Sequence, residues 1–355
     1  MNSLYTAKHT YQDLTLRVSY LSLISCVFKL SKRYLYLSNI PDKEHHVSNS
    51  SNELFTRRPV VITAAILCTL LWGSAYPSIK AGYILWEIQA NDVPSQMVFA
   101  GMRFLVAGLL LVLVVRILKR PALDISWFKL RQLTLLGATQ TSLQYVFFYI
   151  GLAFTTGMKA SIMNATMTFF SVILAHFIYT NDRLNQRKIL GCTVGFMGVV
   201  IVNFNSSLDV SFTLTGEGAV IFAAFVLAAS SIYGKTVSQT IDPMQMTAWQ
   251  LSIGGSILLV IGFVSGGDIG NVSVFSSVLL VYLALLSSIA FTLWSMLLKH
   301  NPVGMITIFN FLVPVFGTLL SGLFLGESIM EWKNLIALIF VCSGIYLVTR
   351  MKIRS

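Results

Sequence analysis

From about Val60 to its end the chain is a succession of long apolar segments separated by charged or turn-rich breaks. Read between those breaks, ten segments emerge, near 60–79, 96–118, 131–154, 158–179, 188–204, 217–235, 245–264, 277–298, 304–325 and 333–350. Each is long enough to cross a bilayer as a helix, which takes roughly 17–25 residues. In hydrocarbon a backbone amide has no water to bond, so it must be satisfied within the protein, as a helix does. Composition agrees, since 11% of the 355 residues are charged against about 25% in soluble domains. The expectation is an all-α integral membrane protein with ten transmembrane helices.

The net charge of +11 raises a nucleic-acid partner, but the placement of the basic residues answers against it. With the first segment entering from the inside, Arg57 to Arg354 contribute fifteen arginines and lysines to cytoplasmic segments. Only Lys80, Lys159 and Lys333 fall outside, with Arg103 within a span. That is a positive-inside bias, with both termini cytoplasmic. The partners expected are membrane lipid, through its anionic headgroups, and a small-molecule substrate. Cys26, Cys68, Cys192 and Cys342 show no CxxC or zinc spacing, so they read as small apolar residues and no metal or cofactor is expected.

Residues 1–57 differ in kind. The apolar stretch Val18–Phe28 is too short to span and lacks a small-residue cleavage site after it, and a polar linker with His45 and His46 follows. Two readings stand: an interfacial tail, or a true start near Val47 or Leu54 at a non-Met codon.

The chain also matches itself at an offset of about 146 residues. "MRFLVAGLLLVLV" lies over "WQLSIGGSILLVI", placing Gly108 on Gly255. "SIMNATMTFF" lies over "TIFNFLVPVF", placing Asn164 on Asn310, and a third pair places Gly198 on Gly344. Each half holds five spans, so the second half enters the membrane upside down. Two inverted five-helix repeats, 58–204 and 205–355, are an architecture of secondary transporters that bind substrate near the midplane.

"LLWGSAYPSIKAG", "RFLVAGLLL" and "PVFGTLLSGLFLGE…SGIYLV" resemble, in order and spacing, the EamA family of the drug/metabolite transporter superfamily, over residues 60–350. The resemblance implies ten helices in two repeats and movement of small metabolites, usually outward, at a bacterial plasma membrane. It does not name the substrate.

Candidate site residues follow from polar groups at depth. Pro314 cannot donate a backbone hydrogen bond, and its ring displaces the carbonyl of Asn310. A freed carbonyl and an amide side chain then share one spot, either as a packed kink or as a cavity wall with Pro314 as hinge. Pro314 aligns with Thr168, whose hydroxyl is expected to bond back to the Asn164 carbonyl. Gln140 and Gln144 lie four apart on one face, with Tyr145 and Tyr149 on the adjacent stripe. Trp72 and Tyr76 are also four apart, Tyr233 is the repeat counterpart of Tyr76, and Trp294 lies in the eighth span. These aromatic residues could equally be interfacial anchors, and the amides helix–helix bonds. Arg103 is a full charge about seven residues into the second span, held by helix carbonyls or meeting a substrate carboxylate. Lys159 reads as an interfacial lysine and His176 as a packed, hydrogen-bonded one. Glu327 and the capping pattern Ser328–Glu331 read as structural.

None of the fourteen acidic residues falls mid-span, which points away from proton or sodium coupling and toward facilitated diffusion or exchange. An intramembrane enzyme would need catalytic groups at depth, and no such set is present. A scaffold, or a homodimer face at Gly191, Gly195 and Gly198, leaves the repeat unexplained. An exporter of a small amphipathic solute such as an amino acid is the leading expectation. An importer or an organic-phosphate antiporter is the alternative.

Overall fold

The computed structural model describes residues 54–89, 91–119, 126–204, 212–325 and 332–349. Val18–Phe28, His45, His46, Cys26, Glu327 and Ser328–Glu331 lie outside the described residues. Those described are helical, with no strand among them. In chain order they form α1 (Arg58–Leu85), α2 (Val93–Ile117), α3 (Trp127–Leu136), a π-helical stretch (Gly137–Leu143) and α4 (Gln144–Ala153). Next come α5 (Gly157–Ala165), α6 (Met167–Ile178), α7 (Gln186–Asn203), a π-helical turn (Leu214–Gly218) and α8 (Ala219–Val237). The chain continues through α9 (Pro243–Val264), α10 (Val274–His300), α11 (Val303–Thr307), a 3-10 turn (Ile308–Phe311), α12 (Leu312–Leu325) and α13 (Trp332–Thr349).

Seven of the helical rods are long and apolar enough to cross a membrane. The stretches 127–153, 186–203 and 332–349 are helical but fall short of that measure. The first contains the polar residues Thr139, Gln140, Thr141, Ser142 and Gln144, and α7 opens on Arg187 and Lys188.

Helix starts follow from short polar caps at the segment ends. Asp92 accepts from the Ser95 N–H at 3.1 Å, Asn185 from that of Lys188 at 2.9 Å, and Asp242 from those of Met244 and Gln245. Ser273 and Ser276 bond reciprocally in a capping box at the start of α10. Phe55, just before α1, packs against the end of α10. It is buried, stacks on His300, and its carbonyl accepts from Asn301 Nδ2 at 2.9 Å.

Glycines set the closest helix pairs. A methyl group at Gly255 would sit 2.5 Å from the Leu105 amide nitrogen, and one at Gly101 would sit 2.9 Å from the Gly255 carbonyl oxygen, so α2 and α9 meet backbone to backbone. α7 and α13 meet likewise, through Gly191, Gly198 and Gly344. These glycines and Gly195, against Phe311, are used within the chain. The aligned pairs Gly108/Gly255 and Gly198/Gly344 thus lie at contacts between corresponding helices of the two halves. α1 packs on α10 and α12, and its counterpart α8 packs on α4 and on α5 and α6. Exchanging the halves preserves this neighbour pattern.

Candidate functional site

Rings from four helices form a continuous ladder. Trp72 of α1 meets Trp294 of α10 edge-on, with centroids 4.9 Å apart, and Phe291 at 5.6 Å. Phe291 continues to Phe104 of α2 at 6.1 Å, Phe104 to Tyr145 of α4 at 4.8 Å, and Tyr145 to Tyr149 at 5.9 Å. Edge-to-face pairs at these separations are favourable for ring quadrupoles. Trp294 is 3% exposed, so it is a core ring and not an interfacial anchor. Tyr76, one turn beyond Trp72, is 40% exposed. A methyl group at Gly317 of α12 would sit 3.4 Å from its ring.

Arg103 lies against this ladder and is buried. Its guanidinium carbon stands 4.2 Å from the Phe104 ring centroid and 5.8 Å from that of Tyr145, and Nη2 donates to the Tyr145 hydroxyl at 3.4 Å. Its Nε is buried without a partner. Gln144, the residue before Tyr145, is also buried with Oε1 unpaired. Gln140 instead donates to Ser231 Oγ of α8 at 3.3 Å. Gln140 sits in the π-helical stretch and Gln144 is the first residue beyond it.

A second group forms where two broken helices meet. The α5–α6 rod breaks at Thr166, two residues past Asn164, and the α11–α12 rod passes through a 3-10 turn containing Asn310. The N–H of Leu312 turns back to the carbonyls of Phe309 and Asn310, tightening the backbone just before Pro314. Asn310 Nδ2 reaches Met167 Sδ at 3.1 Å. The expected bond from Thr168 to the Asn164 carbonyl is not formed. The Thr168 hydroxyl donates to the Thr307 carbonyl at 3.2 Å, with the rod interrupted at Thr166 between Thr168 and Asn164. Asn164 Oδ1 is buried without a partner. Tyr233 joins neither group, and packs with Leu133, Leu136, Val237 and Trp249.

A family profile described as the EamA-like transporter family matches residues 60–204 and again 214–350. The chain belongs to the EamA-like transporter family. It is therefore a membrane transporter of the drug/metabolite transporter superfamily and not an enzyme. Among EamA relatives, an uncharacterized transporter of Bacillus subtilis, YoaV, is 25% identical over 81% of this chain and 96% of its own length. A probable amino-acid metabolite efflux pump of Salmonella typhimurium is 24% identical over 80% of this chain and 92% of its own. A solved crystal structure shares the fold, with a TM-score of 0.69 over 81% of this chain and 95% of that one, at 15% identity.

One buried ion pair joins the EamA repeats and a second, within the first repeat, receives a hydrogen bond from the other; neither was evident in the sequence. Lys159, at the start of α5, lies 3.3 Å from Glu217. The Glu217 carboxylate also accepts from the Thr155 hydroxyl and from the Thr213 N–H and hydroxyl. Lys159 is thus a paired residue rather than an exposed interfacial one. Asp182 pairs with Lys188, and its other oxygen accepts from the Gly304 N–H at 2.9 Å at the start of α11. Nearby, His176 Nδ1 accepts from the Leu184 N–H at 3.1 Å, as a packed histidine should. A cavity of about 430 Å³ opens between the ends of α6, α8 and α10, lined by Tyr179, Lys235, Lys299 and His300 among others. It is lined by none of the expected site residues.

Proposed function

We propose that this transporter exports a small amphipathic metabolite, of the size and character of an amino acid, across a bacterial plasma membrane by alternating access. In this reading the chain crosses the membrane ten times as two inverted five-helix repeats, 58–204 and 205–355, with residues 1–57 preceding them and both termini cytoplasmic. The observation that carries it is the meeting of the two broken helices. Asn164 and Asn310 occupy matching places in the two halves, each beside an interruption of its helix. Irregular backbone at membrane depth is tolerated where protein or a watery cavity satisfies it. The solute would lie between that junction and the aromatic ladder, against Trp72, Tyr76, Gln144 and Trp294, with Pro314 as the flexing point. Gln140, Thr168 and Tyr233 would then support the cavity rather than line it. The Salmonella relative described as a probable amino-acid metabolite efflux pump favours the outward direction and this solute class. With no carboxylate at mid-span, movement runs down the solute gradient or by exchange.

The test compares solutes in the medium of cells producing the intact protein with those of cells producing Asn310→Ala at equal membrane level. Enrichment of a compound by the intact protein alone is expected. Equal enrichment by both removes Asn310 from the pathway, and enrichment by neither contradicts export.

A further inference from the structure

A guanidinium presents five N–H donors and stays charged under protein conditions. Held inside a membrane, such a charge is costly and calls for a partner. Arg103 lies ten residues past the start of the 25-residue α2, about 15 Å along its axis at 1.5 Å per residue, and it is 4% exposed. The chain gives it one long hydrogen bond, to Tyr145, two ring faces, and nothing at Nε. The other buried cations described above each own a carboxylate: Lys159 has Glu217 and Lys188 has Asp182. Among the described residues no carboxylate reaches Arg103. Tyr83 and Tyr149 lie within electrostatic range of the same charge.

We propose that Arg103 is the binding group for a carboxylate carried by the transported solute. Nε and the neighbouring Nη form a fork that matches a carboxylate bidentately. Phe104, Phe291 and Tyr145 offer aromatic surface to an apolar body attached to it. One guanidinium fork suits one carboxylate, and so a monocarboxylate or an amino-acid zwitterion. This assignment rests on the transport reading above and adds the substrate class to it.

The test is thermal melting of the full-length protein in detergent with millimolar leucine, phenylalanine, 4-methylpentanoate and phenylacetate, each beside its carboxamide. At least one acid is expected to raise the melting temperature by several degrees where its amide does not. Arg103→Gln should abolish that shift, and Arg103→Lys, which keeps the charge but loses the fork, should retain part of it. Without ligand, Arg103→Gln should melt no lower than the parent, because the chain itself leaves the buried charge without a carboxylate. Equal shifts from acid and amide, no shift from any acid, or an Arg103→Gln variant that keeps the shift each overturn the assignment. So does a large ligand-free loss of stability in Arg103→Gln, which would make the residue a structural one. Export of a solute with no acid preference overturns this assignment and leaves the transport reading intact. An acid-specific, Arg103-dependent shift in a protein that exports nothing supports the assignment and overturns export.

Discussion

Trp294 and Gln144 make different demands on their surroundings. Trp294 fills space, buried edge-on against Trp72. Trp294→Ala should cost about 3–5 kcal/mol through lost contact and residual cavity, read as a lower melting temperature in detergent, with export falling at matched membrane level. Gln144 carries a buried acceptor without a partner. Gln144→Leu removes that unmet demand and should leave stability unchanged or raise it by about 1 kcal/mol, while export falls. Parallel loss of both properties would make Gln144 a packing residue. Arg103, Trp72 and the asparagine pair were legible in the sequence because a charge, a bulky ring or an amide in an apolar run is conspicuous by itself. Tyr145 was read beside the glutamines but not against Arg103, because that contact joins two helices 42 residues apart in the chain. The partner of Thr168 was misjudged for a related reason: local spacing says nothing of Thr307, 139 residues away.

Among elements, glycines and ion pairs carry the contacts between the halves. Gly255→Ala places a methyl group against the Leu105 and Gly101 backbone. It should force α2 and α9 apart at a cost of about 1–3 kcal/mol, measurable as earlier thermal unfolding. Glu217→Gln leaves the buried Lys159 ammonium without its carboxylate, a change expected to cost about 3–5 kcal/mol. Lys159→Met in the same chain should recover part of that loss, and a double-mutant cycle gives the coupling. Purely additive losses would show that the two side chains act independently. The aligned glycines pointed to these close helix pairs. The ion pairs stayed hidden because Lys159 and Glu217 look like ordinary residues at span ends until the fold joins them. Element boundaries were less legible where a helix contains a π-helical or 3-10 turn, since composition does not report a local change of helical pitch.

For the whole molecule, the class was the most legible property, because recurring apolar length and charge asymmetry are long-range features that local irregularity does not erase. The internal repeat emerged from a few matched glycines and asparagines, and the neighbour pattern of α1 and α8 agrees with it. The central claim is that the solute passes between the halves where the broken helices meet. Its most direct test is a single cysteine at position 167, against Asn310, in a chain freed of Cys26, Cys68, Cys192 and Cys342, probed with membrane-impermeant thiol reagents in vesicles of both orientations. The account predicts labelling from each side in turn, and protection by the solute found in the export comparison. Labelling from one side only, or labelling that the solute does not change, would contradict it.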